Sequence, residues 1–425
     1  MEDRQLLLAA IDRLRRGGAV AAEVLLTATD WLEQEGSMVP PRSGRGGMWT
    51  VRAWRAGGAT GVGIALTSAE AIDLALARSA SAPADPFAGP VERQDIRTSG
   101  LGTCDRRYGT MDAADRVEVL ELAERAFEKT RELGVALKRL RYRQERTHRS
   151  WASTRGSEVS ETVTRFLLEG EVVTGVGDAF MQRLESRHFS DIASLPFGTE
   201  LRRRAEPLAR MTTGAPPDRP LLLEPRPLAE LARAIAPAFV ADHPGFIQSQ
   251  KPGKGGVVRL APPAVHMTDD AGLHSGLHTF AFDDRGVAPV PLTLLREGTL
   301  GARYHTPETA RAMRSQATGH VRDGQLRPSN LVIRPGARTR NMIHAELGDL
   351  LLLDSPPPVD LIAGRLVGPA RVVRVVDGET VGAHEVHFDV GISAFLDGVV
   401  EFAADQERHI GVDTPTGVWD RLRLS

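Results

Sequence analysis

Phe282-Asp283-Asp284-Arg285-Gly286-Val287 opens the most specific stretch of this chain. It continues with Leu292-Thr293-Leu294-Leu295-Arg296-Glu297-Gly298-Thr299-Leu300 and Thr309-Ala310-Arg311-Ala312. Ala317-Thr318-Gly319-His320-Val321-Arg322 and Pro328-Ser329-Asn330-Leu331-Val332-Ile333-Arg334-Pro335-Gly336 complete it. Two carboxylates and an arginine ahead of Gly286 read as a turn, because glycine tolerates backbone that other residues avoid. Apolar runs at 290–295 and 331–334, bounded by Gly and Pro, read as short strands.

The rest of the C-terminal half follows the same pattern. One helix, 227–240, precedes strands expected at 257–260, 350–353, 359–367, 370–376, 384–395 and 399–402. Short strands broken by Gly and Pro predict a mostly β, antiparallel domain over 212–425. The N-terminal half differs. A helix at 4–16 carries Leu7, Leu8, Ile11 and Leu14 on one side and ends at Gly17-Gly18. Strands at 22–31, 49–55 and 61–66 follow, with Gly57-Gly58 as a turn. A helix capped by Ser68 runs to Ser79. A second unit has a helix from Asp112 to Arg131, strands at 135–150 and 158–174, and mixed helical sequence to Met211. The fold class is therefore α+β, with helix-plus-antiparallel-strand units ahead of the β domain. The expected boundaries are 1–80, a Pro- and Gly-rich linker at 81–110, a central unit at 111–211, and 212–425. The recurring order of helix then strands hints at a duplicated unit.

The chain has 425 residues, 41% hydrophobic and 25% charged, enough for a sizeable core. Its net charge of −2 argues against a dedicated nucleic-acid binder, which needs a basic excess. A single cysteine, Cys104, excludes an internal disulfide and a thiolate zinc knuckle. No sequence run approaches the ~18 apolar residues that span a bilayer. The apolar run at 6–11 is too short for a signal-peptide core, so a cytoplasmic location is expected.

Few residues suggest chemistry by spacing alone. His274 and His278 have the i, i+4 spacing of helical zinc ligands, and Asp283 is a nearby carboxylate. Ser275 stands where the zinc-hydrolase helix has its Glu, and Gly272 and Gly276 disfavour a helix. His384 and His387 fall in a strand-like run whose alternation sends them to opposite faces. Lys138-Arg139-Leu140-Arg141-Tyr142-Arg143 alternates as a strand with one solvated, basic face. Gly58-Ala59-Thr60-Gly61-Val62-Gly63 lacks the dinucleotide spacing, and Pro252-Gly253-Lys254-Gly255-Gly256 lacks the ending of a phosphate loop.

The stretch from Phe282 to Gly336 resembles the C-terminal domain of the TldD/PmbA (TldE) family of metallopeptidases. Its counterpart there is a Phe-Asp-Asp-Glu-Gly turn, a Gly-containing hairpin, a Ser-Ala-Arg helix, a Thr-Gly-Asn-Ala-Arg segment and a Pro-Ser-Asn-Leu strand ending in Pro-Gly. Asp389-Val390-Gly391-Ile392-Ser393-Ala394-Phe395-Leu396-Asp397-Gly398 is similar to its late strand and turn. The resemblance implies structural roles for Phe282, Asp283, Asp284, Gly286, Gly319, Pro328, Ser329, Asn330 and Gly336. Catalytic members carry His-Glu-x-x-x-His on the helix that opens this domain, and a late Cys. Here that helix, Pro227-Leu228-Ala229-Glu230-Leu231-Ala232-Arg233-Ala234-Ile235-Ala236, has no histidine, and the last quarter has no cysteine. Arg285 replaces the usual Glu, and His320 the usual Asn.

The resemblance therefore implies a TldE-like, non-catalytic subunit with no cofactor of its own. It implies zinc in a TldD-like partner and unfolded or modified peptides as substrate. Two alternatives remain open at this stage. One is a self-contained metal hydrolase using His274, His278 and Asp283. The other is a regulatory binding protein without peptidase activity, in line with the family's label as a DNA gyrase modulator.

Overall fold

Leu7, Ile11 and Leu14 are buried together with Ala10, which makes one packed face of α1 (Glu2–Arg16), whereas Leu8, expected on the same side, is exposed. That face lies on the strands β1 (Ala21–Glu35), β2 (Arg42–Trp54) and β3 (Thr60–Ala65) together with α2 (Ser68–Ser81). The cap of α2 is Thr67, whose hydroxyl accepts from the Glu70 amide at 3.3 Å; the sequence had pointed to Ser68. Gly61 and Gly63 face α2 closely, since a Cβ on either would lie 1.9 Å from a helix carbonyl. The computed structural model describes residues 2–128, 134–174, 179–247, 249–252 and 256–420. The expected end of the second helix at Arg131 and Gly253-Lys254-Gly255 lie outside them.

The second unit repeats the plan. Helix α3 (Ala113–Glu128) precedes β4 (Val135–Ser153), β5 (Glu158–Thr174) and β6 (Ala179–Ser186), then α4 (Phe189–Ser194) and α5 (Phe197–Ala205). The strand β6 was not foreseen, because its Arg and Glu break the apolar pattern. The two units share one six-stranded sheet, ordered β3-β2-β1-β4-β5-β6, in which β1 and β4 pair antiparallel at the centre. Helices cover one face of it. Residues 82–112 form no helix or strand but pack as a strap. The amide of Val91 donates to Glu23 at 2.9 Å, and Arg311 donates to the carbonyls of Phe87 and Pro90 at 2.7 and 2.9 Å.

The C-terminal half builds two mixed sheets around α6 (Pro225–Ile235). Pro225 and Pro227 suit the first turn, where amides lack helical partners. Leu228, Leu231 and Ile235 recur at helical spacing and are buried against both sheets. Each contributes roughly 1.5–3 kcal/mol by leaving water. One sheet holds six strands, among them β8 (Met267–Asp269); the other holds seven, among them β7 (Leu221–Leu223). Two pairings are parallel, Leu331–Ile333 with Val412–Thr414 and β7 with Asp349–Ser355, so the domain is not purely antiparallel.

Three further expectations are corrected. Residues 257–260 form no strand, only an isolated pairing of Arg259 with Thr299. The run 359–367 is split by a turn into Val359–Asp360 and Arg365–Val376. The run 384–395 becomes a strand, Glu379–Gly391, followed by a helix, Ile392–Asp397. Among the described residues no helix is long and apolar enough to cross a membrane.

The turn at 282–286 joins the halves. Arg149 on β4 donates to Glu161 (2.7 Å), the Phe282 carbonyl (2.8 Å) and Asp284 (2.7 Å). Arg285 reaches back to Glu23 on β1 (2.9 Å) and across to Glu308 (2.7 Å). Burial would lower the Arg285 pKa, but Glu23 and Glu308 outweigh it and raise it. Gly286 has φ +69°, and a Cβ there would lie 2.4 Å from the Trp151 ring. Removing one partner of a buried ion pair strands the other charge. We expect Arg149→Met to cost about 3–5 kcal/mol in urea unfolding. Arg365→Met, which breaks an exposed pair with Asp389, should cost less than about 1 kcal/mol. Equal losses would contradict this role for the turn.

Candidate functional site

Helix α6 is the segment that would carry metal ligands if the family's catalytic pattern held. Its polar side instead presents Arg226, Glu230 and Arg233. Arg226 donates to Glu230 at 2.7 Å and to both the carbonyl and the carboxylate of Asp354. Arg204 from α5 and Arg371 also hold Asp354, at 3.1 and 2.6 Å. Burial pushes the Asp354 pKa up, but the three arginines outweigh it and hold the carboxyl well below its usual range. Arg204 and Arg371 also lie over the Phe180 ring, so this cluster is a second tie between the halves. Beneath α6 a cavity of about 40 Å³ is lined only by apolar residues, including Leu231, Phe395 and Trp419. Among the described residues no group of three or more His, Cys, Asp or Glu could hold a metal ion. The only zinc-type donor on α6 is the Glu230 carboxylate, which is bound to Arg226, whereas zinc takes three or four imidazole, thiolate or carboxylate ligands.

A buried polar network lies next to α6. Asp269 at the end of β8 accepts from the Tyr304 hydroxyl (2.5 Å), the Ser329 amide (2.8 Å) and the Ser329 hydroxyl. His320 Nδ1 lies 2.7 Å from the Thr318 carbonyl and so carries the proton. Its Nε2 has no hydrogen-bond partner among the described residues and faces Asp269 at 3.8 Å. Burial lowers the His320 pKa against the pull of Asp269, so the ring is neutral at pH 7. Asn330 donates to the Asp270 carbonyl and Thr279 hydroxyl, both at 2.9 Å, and accepts from the His278 amide at 2.9 Å. Arg233 donates to the Ser329 carbonyl at 3.0 Å and so ties α6 to this network.

The residues singled out from sequence thus separate into frame and surface. Asp283 spends its oxygens on the amides of Arg285, Val287 and Val321, at 2.8, 2.9 and 3.0 Å. Asp284 accepts from Arg149, Phe282 is fully buried under β4, and Pro328 precedes the Ser329-Asn330 latch. Gly319 has φ +71°, and a Cβ on Gly336 would lie 1.8 Å from the Phe402 carbonyl. His274 and His278 sit on successive turns rather than a helix. His274 is exposed and contacts Ser275 at 3.0 Å; His278 is half-buried against Gly411. Those contacts do not bring His274, His278 and Asp283 to one point. His384 is buried and His387 exposed on the Glu379–Gly391 strand, on opposite faces as expected.

The face of the six-stranded sheet away from its helices meets the C-terminal domain at one end and carries ion pairs at the other. Lys138, Arg139, Arg141 and Arg143 pair there with Glu171, Glu35, Glu169 and Glu33. A depression of about 220 Å³ is lined by Arg141, Arg143, Glu145, Arg165, Leu167 and Arg183. Arg165 is bound to Glu185 at 2.7 Å, and both lie within electrostatic reach of Arg233. The candidate site, called the cleft below, is this depression on the sheet face, whose Arg165 and its partner Glu185 lie within electrostatic reach of Arg233 on α6. Sequence reasoning missed Arg187, Arg233, Arg322 and Asp269, because their partners are tens of positions away or are backbone atoms.

Residues 218–425 match the family model of the PmbA/TldA metallopeptidase C-terminal domain. No curated protein matches the chain. Among solved structures it is similar to TldE from Thermococcus kodakarensis, with TM-score 0.83 and 16% identity over 98% of this chain and 99% of that one. It is also similar to a candidate modulator of DNA gyrase from Thermotoga maritima, at 0.82 and 18% over 98% and 100%. Another such candidate, from Bacteroides thetaiotaomicron, aligns at 0.82 and 14% over 99% and 98%. At these identities the structures establish the fold.

Burial raises the Asp283 pKa to about 6, against the three amides that lower it. The folded chain therefore binds this proton more tightly than the unfolded one. Its contribution to stability is complete below about pH 4 and is lost as the pH rises through about 6. In Asp283→Asn that slope should vanish, on top of a uniform loss of roughly 1–3 kcal/mol from the mismatched amides. Urea midpoints for both proteins between these limits check it; parallel pH profiles would contradict it.

Proposed function

The chain belongs to the TldD/PmbA family, and on that premise we propose that it is the metal-free, TldE-like subunit of a heteromeric TldD/TldE-type peptidase. The observation that carries the reading is α6. Its inner face is apolar core, and its arginines are bound to Asp354 and the Ser329 carbonyl, which leaves that helix no imidazole or thiolate donor. A zinc peptidase needs a metal held by such donors and a carboxylate base within one water's reach. In this reading the chemistry belongs to a TldD-like partner that carries zinc on a His-Glu-x-x-x-His helix.

This chain would close the chamber and hold an unfolded or modified peptide. The strand β6 is an edge of the six-stranded sheet and borders the cleft, so an extended peptide could add beside it through main-chain hydrogen bonds. The paired charges at 138–143 leave little uncompensated positive charge for a nucleic-acid backbone, which disfavours a direct DNA-binding role.

Co-expression with a TldD-like chain tests the assignment. The two should co-elute on size exclusion, with an interface above about 2,000 Å² as obligate complexes commonly have. Loss of the partner's His-Glu-x-x-x-His should abolish turnover of a peptide substrate. His274→Ala in this chain should leave kcat within about twofold, as for a surface change with no partner in the chemistry. Separate elution, or a dead His274→Ala complex that still assembles, would overturn the proposal.

A further inference from the structure

Ion pairs are abundant in this molecule, yet three arginines beside the cleft form none among the described residues. Arg187 is buried and donates only to backbone carbonyls, those of Gly276 (3.3 Å), Thr164 (2.8 Å) and Thr279 (3.1 Å). Arg233 donates to the Ser329 carbonyl. Arg322 is half-buried with its guanidinium carbon 4.7 Å from the centroid of the Phe280 ring, and it makes no hydrogen bond to a described residue. All three lie within electrostatic reach of His278, with Arg165 at the rim. The neighbouring carboxylates are already engaged: Asp269 by Tyr304 and Ser329, Glu161 and Asp284 by Arg149, Glu185 by Arg165 and Arg183, and the exposed Asp323 by Arg327.

A cation held out of water without a counter-charge is costly, and structures usually avoid it. The cost is visible in the groups themselves. Burial, then repulsion by Arg322, lowers the Arg187 pKa to about 9. Burial, then repulsion by Arg149, lowers that of Arg322 to about 10, against the pull of Asp284, Glu161 and Asp323. Burial, then Arg233, Arg187, Arg165 and Arg322, hold the His278 imidazole well below its usual value, so it is neutral at pH 7. Arg322 and His278 each keep part of their surface exposed to solvent, so a negative charge can reach them from outside. Arg322 also has free donors in the planar fork that suits a carboxylate.

We propose that Arg322, backed by the fixed charges of Arg187 and Arg233 around His278, forms a subsite for a carboxylate group of a bound peptide. This rests on the reading of the chain as a peptide-holding subunit. The carboxylate can be the peptide's C-terminus or an Asp or Glu side chain. Arg322 is a binding residue here and takes no part in bond cleavage.

The test measures fluorescence anisotropy of labelled, unstructured peptides on the full-length chain. One peptide has a free C-terminus, one is its C-terminal amide, and a third is an amide with an internal Glu. At least one carboxylate form should bind about tenfold more tightly than the neutral amide, the size of one charge-assisted contact. Whichever form wins identifies the source of the charge. Arg322→Gln should reduce that preference to within twofold and leave the neutral amide unaffected. Equal binding of all three peptides would overturn the proposal while leaving the peptide-holding role intact. A second measurement covers the case in which no peptide binds. Sodium N-acetylglycinate should raise the thermal midpoint of the wild type by mass action, and N-acetylglycinamide should not. The rise should be absent in Arg322→Gln. No rise in the wild type, with no peptide bound, overturns the subsite. A rise without peptide binding keeps the subsite and removes the peptide role.

Discussion

Two buried arginines, Arg149 and Arg285, hold the halves of this molecule in one arrangement. Each sits on one half and pairs with carboxylates of the other: Arg149 with Asp284, and Arg285 with Glu23. Burying such charges is unfavourable unless geometry is good and every donor is used. Here the remaining donors go to Glu161, Glu308 and the carbonyls of Phe282 and Gly89. The Asp-Asp-Arg-Gly turn is thus a key cut to fit one place on the sheet. The position of α6 and its neighbours relative to the sheet follows from that placement.

The sequence departure at Arg285 has a physical explanation in these partners. A glutamate there would meet Glu23 and Glu308, so reversing the charge at the turn requires acidic residues on β1 and ahead of Ala310 together. His320, the other departure, sits where its ring packs edge-on to Tyr304 and Phe280 and keeps one nitrogen unpartnered. Burying that nitrogen without a donor lowers stability.

Much of the architecture was legible in the residues. The helices α1 and α6, most of the packed face of α1, the strands β1, β4 and β5, and the divergence of His384 and His387 all follow from sequence pattern. The resemblance placed the 282–336 stretch correctly in its family. The strand β6 escaped because alternating Arg and Glu on an ion-paired face carry no apolar signal. The strands at 407–419 are three residues each, too short for a pattern. The cleft was illegible for a different reason. Its arginines are defined by lacking carboxylate partners, and partnership across 89 to 135 positions is a property of the fold alone. The spacing of His274 and His278 carried little weight, because the i, i+4 rule applies only to a helix and Gly272 and Gly276 disfavour one.

The central claim is that the helix which would hold zinc in a catalytic relative has become a packing and ion-pairing helix in this chain. Metal content of the isolated chain, purified without chelator and then incubated with zinc and desalted, tests it most directly. The account expects sub-stoichiometric zinc, and no change in that value on Arg226→Gln or Glu230→Gln. One tightly held zinc per chain, lost on substitution of any His, Asp or Glu, would contradict it.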